Sequence, residues 1–420
     1  MWNHRSLYRI DWRIILVIFA LMIISLLVIS ATDPFFTFSS TDTGEPSFFT
    51  PKVKSQFHRF LGLDPFVDPF TVKMTGGPDG DVAGNQIHNL YRFYPDTAKL
   101  IALTDVSGTI YDPKGLDLAI CTRLFREEKS IRFYPPEKLS SGGFLLDRET
   151  RREPTSYISQ TLCWRNNEGK LVEDWLSGNE MNSLYRNNVH QTKADIFIPC
   201  GGRPRTLRDT NYKDFLDKQG EPTARAIVEG ANLYLSPWAR HFLEEKGVLI
   251  VKDSSANKGG VICSSFEILC SLTLTDEEFL KHKNGLVAEI LERLKQCAYD
   301  EAALLLKTHQ ETKGFLTDIS DEISKRILFF TDQLLDYLET IPLPSQPEDP
   351  LMQCFLYYCP STLRDQFQER LLSQIPDNHK KAIIASHIAA RLVYRRGLNW
   401  FPSIVDILPL LLQQKELFFM

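Results

Sequence analysis

Apolar, β-branched runs of strand length recur along the first two thirds of the chain, at Phe70–Met74, Leu100–Thr104, Ala194–Pro199, Ala226–Val228 and Val248–Val251. Each ends in a polar or glycine-rich loop, and several are followed by helix-like stretches such as Pro237 to Lys246. This alternation predicts βαβ units and a doubly wound α/β fold with a largely parallel sheet. Ligands of such sheets sit outside the carboxyl ends of the strands, and the polar clusters of this chain fall there. Beyond about Thr275 the period becomes helical. Val287, Leu291, Leu294, Ala298, Ala302 and Leu305 share one helix face, and Ile323, Ile327, Phe330, Leu334 and Tyr337 share another. The proline-rich connector Ile341 to Pro350 cannot continue a helix, and the final 70 residues return to a helical pattern.

The first 33 residues form a separate hydrophobic segment. Arg5, Arg9 and Arg13 precede "IILVIFALMIISLLVISA", Ile14 to Ala31, which is 18 uncharged and mostly apolar residues. That length crosses a bilayer with little to spare and exceeds a usual signal-peptide core. The flanking arginines would place the N-terminus inside. A buried helix, or an N-terminus replaced by gene truncation, reads the same residues without a membrane. Residues 34–66 form a linker with a short helix around Lys52 to Leu61.

Composition narrows the function classes. A 420-residue chain with 43% hydrophobic residues has enough material for a large core. A net charge of -5 gives general nucleic-acid binding little electrostatic support. The eight cysteines contain no Cys-x-x-Cys and the nine histidines no His-Glu-x-x-His, so no metal site is indicated and free thiols are expected.

The stretch "KMTGGPDGDVAGN", Lys73 to Asn85, lies between the first strand and a helix. Gly76, Gly77, Gly80 and Gly84 leave the backbone bare, so N–H groups can approach a phosphate at a helix N-terminus, as a dinucleotide pyrophosphate requires. The spacing G-G-x-x-G-x-x-x-G is not the plain G-x-G-x-x-G, and a glycine-rich hairpin would read similarly. Asp105 ends the next strand about 20 residues on, where a carboxylate accepts from an adenosine ribose and repels a 2′-phosphate, favouring NAD over NADP. With Ser107 and Gly108 nearby, a solvated turn aspartate is the alternative. Asn232 and Asn257 follow two further strands, and an amide donates and accepts together, matching a carboxamide or a ribose diol.

These motifs, together with "ADIFIPCGGRP", "EGANLYLSPWA", "SSANKGGV" and "SSFE", resemble the large, NAD-specific class of glutamate dehydrogenases from about Leu61 to the C-terminus. The resemblance implies oxidative deamination of L-glutamate to 2-oxoglutarate and ammonia, with hydride passing to NAD. It implies a Rossmann-like NAD-binding domain at 67–274, a helical region at 275–340, a linker at 341–350 and a helical tail at 351–420. By the same carry-over, Gly76, Gly77, Gly80 and Gly84 cradle the pyrophosphate, Asp105 holds the adenosine ribose, and Cys200 lies beside the cofactor. Asn232 and Asn257 hold the nicotinamide end, and Ser264 bonds the substrate's distal carboxylate. A cytoplasmic location follows from the family, whereas residues 14–31 would imply membrane association.

In that family a domain preceding the nucleotide-binding fold supplies the catalytic lysine and the acid–base aspartate. Barely 70 residues precede the glycine loop here, so that domain is expected to be missing and the catalytic residues are unassigned. Lys258 of "NKGGV" belongs to the nucleotide-binding domain and takes no catalytic role. Either the chain is a glutamate dehydrogenase acting as a homo-oligomer or with a separate catalytic portion, or it is an inactive NAD-binding or interaction module, free or tethered to a membrane through residues 14–31.

Overall fold

The computed structural model describes residues 61–403 except 65, 156 and 402. The hydrophobic segment at 14–31 and the helix expected from Lys52 lie outside the described residues. Among the described residues no helix is long and apolar enough to cross a membrane. The chain forms two compact units. The first runs to Lys258 and takes in Phe315–Thr317; the second comprises Gly259–Gly314 and the chain from Asp318 onward.

The first unit is built on one nine-stranded sheet in the order β6-β5-β4-β3-β2-β1-β7-β8-β9. Strands β1 (Phe70–Thr75), β2 (Ala98–Thr104), β7 (Ala194–Pro199), β8 (Ala224–Val228) and β9 (Leu249–Val251) pair in parallel, within two residues of the runs read from the sequence. Their centres are buried and mostly apolar, with Val72, Met74, Leu100, Ile196, Ile198, Ala226 and Ile250 fully buried; Lys73 on the second face of β1 is the exception. Continuous apolar runs of this kind are what a sheet covered on both faces requires. Helices α1 (Asp81–Phe93), α2 (Leu118–Arg126), α3 (Gly178–Gln191) and α4 (Pro237–Glu245) connect the strands. Ser177 and Glu180 close α3 with a capping box, and Ser236 caps α4 with Pro237 as its first residue.

The sheet also carries an antiparallel extension, β3 (Gly108–Tyr111), β4 (Phe144–Thr155), β5 (Ile158–Asn167) and β6 (Lys170–Ser177), which the sequence reading did not anticipate. The second half of β4 and the edge strand β6 are largely exposed, so "RETRREPT" and "KLVEDW" show no apolar alternation to read. Glu168 and Gly169 both have positive φ and close the β5–β6 hairpin as the two-residue turn favoured between twisted strands.

The second unit is helical. A short helix at Asp253–Ala256, α5, ends the first unit, and α6 (Gly259–Thr273), α7 (Asp276–Thr312), α8 (Leu316–Glu339), α9 (Pro350–Tyr358), α10 (Ser361–Gln366), α11 (Gln368–Gln374) and α12 (Asp377–Arg396) follow. Thr275 and Glu278 form a capping box at the start of α7, and Arg370 grips Glu278 with two bonds of 2.6 and 2.9 Å. The buried stripe of α7 begins at Leu286 and Ile290, one residue before the expected Val287 and Leu291, and rejoins the expected face at Leu294, Ala302 and Leu305. A helical stripe is broad enough that both registers fit the sequence. On α8, Ile323, Phe330 and Leu334 are buried as expected.

Candidate functional site

From β1 the chain passes through α1 to β2 on one side, and later returns to β7 on the other side of β1. This reversal opens a crevice at the carboxyl ends of β1 and β7. The glycine loop lies there. Gly76 has a φ of 94°, its N–H donates to the Thr104 carbonyl (2.8 Å), and an added Cβ would lie 3.0 Å from the Gly201 nitrogen and 3.1 Å from the Cys200 carbonyl carbon. From the other side, a Cβ on Gly201 would approach the Gly76 Cα to 2.9 Å. The two loops therefore pack backbone to backbone, tied by Thr75 Oγ1 donating to the Gly201 carbonyl (2.5 Å) and the Cys200 N–H to the Thr75 carbonyl (2.9 Å). Cys200 is buried, and burial pushes its thiol well up, so it is a packing residue here and not a thiolate.

Gly80 is the N-cap of α1, and no side chain caps that end. Free N–H groups and the helix dipole make it suited to an anion. Gly84 lies one turn inside α1, where a Cβ would overlap the Phe125 ring and the Pro78 carbonyl oxygen; its bareness serves the packing of α1 on α2. Gly77 is held against Asp105: a Cβ there would overlap the Asp105 carboxylate and approach its Cβ to 2.9 Å.

Asp105 is thus beside the loop, as its position after β2 predicts, but it is buried and not a solvated turn residue. Its Oδ1 accepts from Ser107 N (2.8 Å), Ser107 Oγ (2.7 Å) and Gly108 N (3.0 Å), and its Oδ2 from Ile131 N (2.9 Å). A carboxylate has about four acceptor sites; three of the four bonds fall on Oδ1, which leaves room at Oδ2, the atom nearest Gly77. Burial raises the Asp105 pKa and the Asp79 charge adds to the rise, while the donors oppose it.

Asn232 and Asn257 meet. The Asn257 Nδ2 donates to Asn232 Oδ1 and to the Gly230 carbonyl (3.3 Å). In the orientation these bonds fix, Asn232 Nδ2 and Asn257 Oδ1 have no partner among the described residues, so the pair presents one donor and one acceptor side by side. Behind it lies a buried charge network. Arg240 donates to Glu229 through Nε (2.7 Å) and Nη2 (3.1 Å), and to Asp253 Oδ1 through Nη2 (2.9 Å). Glu229 Oε1 also accepts from Leu235 N (2.9 Å), and Asp253 Oδ2 from Leu233 N (2.8 Å). Burial pushes the Glu229 carboxyl up to about 7 against the pull of Arg240.

Beneath the crevice a polar cluster crosses the core. Lys73, fully buried in β1, donates to the carbonyls of His190 (3.2 Å) and Thr192 (2.8 Å) and to Thr223 Oγ1 (2.7 Å), with its Nζ 4.3 Å from the Phe215 ring centre. Burial lowers its pKa well below the usual lysine value. His190 Nε2 bonds the buried Tyr234 hydroxyl (3.0 Å), and burial, with the Lys73 charge, lowers the imidazole to about 4. The Tyr234 ring lies directly under Gly202, whose φ is 139°. Ser264 belongs to the second unit: it is exposed on α6 and its Oγ donates to the Gly260 carbonyl (3.1 Å).

The sequence reading missed the Glu229–Arg240–Asp253 network and the Lys73 cluster. A lysine amid the apolar run "FTVKMT" and an acid directly after "AIV" were the available signals, because charges at such positions must be paired or hydrogen-bonded.

Residues 70–315 match the family described as glutamate/leucine/phenylalanine/valine dehydrogenase. Among curated proteins, the chain is similar to glutamate dehydrogenase 2 of Dictyostelium discoideum (34% identity, covering 77% of this chain and 30% of that protein). It is also similar to a probable NAD-specific glutamate dehydrogenase of Schizosaccharomyces pombe (32%, covering 79% and 29%) and to the NAD-specific glutamate dehydrogenase of Saccharomyces cerevisiae (32%, covering 77% and 29%). The chain spans about three tenths of the length of these relatives. With more than half of its residues matched, from the first strand of the sheet through the glycine loop and the asparagine pair, the chain belongs to the glutamate/leucine/phenylalanine/valine dehydrogenase family.

Proposed function

We propose that this chain is the NAD-binding portion of a glutamate dehydrogenase, an oxidoreductase that deaminates L-glutamate to 2-oxoglutarate and ammonia. The observation that carries this reading is the crevice itself: a bare-backbone loop, an uncapped helix N-terminus, a buried acid and a donor–acceptor amide pair lie along the carboxyl ends of one parallel sheet. A dinucleotide needs the same series of groups. The Gly76–Gly77 backbone and the start of α1 would receive the pyrophosphate, Asp105 would face the adenosine ribose, and Asn232 Nδ2 with Asn257 Oδ1 would take the carboxamide of the nicotinamide. When bound, NAD supplies the hydride acceptor. The protein supplies orientation: loop backbones locked against each other at Gly76 and Gly201 hold the ring end and the phosphate end in fixed register. Ser264 would donate to the distal carboxylate of the substrate, adding specificity without adding charge. The relatives' names support both the cofactor and the substrate.

A second reading, cofactor binding without turnover by the residues described, is supported by Lys73, which lies on the strand leading into the glycine loop but is fully buried and tied to two backbone carbonyls and Thr223, away from any substrate. Activity would then require catalytic groups from further sequence or from a different polypeptide. One experiment separates the two. The purified chain is given saturating glutamate and NAD and NADH formation is followed at 340 nm, alone and with the polypeptide encoded upstream. Turnover by the chain alone supports the first reading, turnover only on mixing supports the second, and failure to bind NAD at all refutes both.

A further inference from the structure

We infer that the buried Glu229–Arg240–Asp253 network is a positioning device for the two asparagines, setting the affinity for the nicotinamide half of the cofactor and leaving the adenosine half untouched. The inference rests on the cofactor reading above.

Three observations support it. First, the two acids hold the backbone on which the asparagines sit, and Arg240 holds the acids. Asp253 Oδ2 binds the N–H of Leu233, the residue after Asn232, and the Asp253 carbonyl accepts from Asn257 N (2.8 Å). Glu229 Oε1 binds the N–H of Leu235 at the far side of the same turn. Arg240 joins the two acids, so the Asn232 turn and the Asn257 turn are anchored to one guanidinium. Second, the turn is strained. Leu233 has a φ of 56°, a region a leucine avoids, and such a conformation persists only where the surroundings over-determine it. Here they do: its N–H is held by Asp253 and its carbonyl accepts from Arg205 N (2.6 Å). Third, stability alone does not explain the network. The side chains of Glu229, Arg240 and Asp253 are 0%, 7% and 11% exposed, and buried ion networks of this kind are often matched or bettered in stability by apolar residues. The planar fork of arginine, holding one acid through two nitrogens and a second acid at the same time, supplies geometry that an apolar core would not.

The test measures two ligands by calorimetry on the full chain: NAD, and ADP-ribose, which lacks the nicotinamide. Arg240→Gln removes the charge and the fork, and Arg240→Lys keeps the charge only. Asp253→Asn is a milder variant that preserves side-chain volume, and it serves if the Arg240 variants do not fold. The expected result is about a tenfold weaker NAD affinity for Arg240→Gln and a smaller loss for Arg240→Lys and Asp253→Asn, with ADP-ribose affinity within about twofold of wild type throughout. Equal loss for both ligands, or unchanged NAD affinity, overturns the inference while the cofactor reading stands. A wild-type chain that binds neither ligand overturns the cofactor reading and this inference with it.

Discussion

Replacing Gly77 by alanine places a methyl group where the Asp105 carboxylate and Cβ lie, the latter at 2.9 Å, and against the Asp79 carboxylate. Asp79 is exposed and can swing away at little cost. Asp105 cannot, because its two oxygens are fixed by four donors, three of them backbone N–H groups of Ser107, Gly108 and Ile131. Relief of the overlap requires Asp105 to retreat, and the bond on the side of the clash, from Ile131 N to Oδ2, is the first to be lost. A hydrogen bond to a charged group contributes about 1.5–3 kcal/mol, and a buried N–H left unpaired costs a further amount of similar size. Together these give an expected destabilisation of about 3–6 kcal/mol, read as a lower urea midpoint at unchanged slope. NAD affinity should fall at least tenfold in the same variant, because the loop proposed to receive the pyrophosphate moves with it. Gly80→Ala is the internal control: its added Cβ meets only the Gly77 carbonyl at 3.4 Å, an ordinary contact, so the cost should stay near or below about 1 kcal/mol. A Gly77→Ala protein with wild-type midpoint and wild-type NAD affinity would refute the close approach of loop and acid.

Three further outcomes follow from the same geometry. His190 is held at about 4 in the fold against about 6.5 when unfolded, so its contribution of about 3 kcal/mol is complete above pH 6.5 and is lost as pH falls toward 4; His190→Gln should flatten the stability–pH slope across that window, and an unaltered slope would contradict it. Lys73 is also depressed by burial, so the unfolded chain binds the extra proton and stability should rise with pH between the lowered folded value and about 10.4; Lys73→Met should abolish that rise in alkaline urea titrations. Ser264→Ala should leave NAD affinity unchanged while raising the KM for glutamate in any active preparation, and a loss of NAD binding would remove Ser264 from the substrate role.

The parallel half of the sheet was legible because strands buried on both faces carry apolar runs, as "LIAL" and "IFIP" within β2 and β7 do. Its glycine loop and strand-end asparagines were legible for a related reason: few residue types serve at such places. The antiparallel extension was not, since strands wet on their outer faces carry arginines and glutamates with no period to detect. Nor was the true environment of Asp105. Sequence spacing placed it beside the loop, but the Ile131 N–H that fixes its second oxygen comes from 26 residues further on. The Asn232–Asn257 contact and the arginine behind it likewise join three separate loops and helices, and only the folded sheet brings them together.

The crevice is proposed to take NAD and, through the Asp105 charge, to disfavour the 2′-phosphate of NADP. Titrating both cofactors against wild type and Asp105→Ser tests it most directly. Wild type should bind NAD more tightly than NADP, and Asp105→Ser should narrow the gap; equal affinities in the wild type, or tighter binding of NADP, would remove Asp105 from that role.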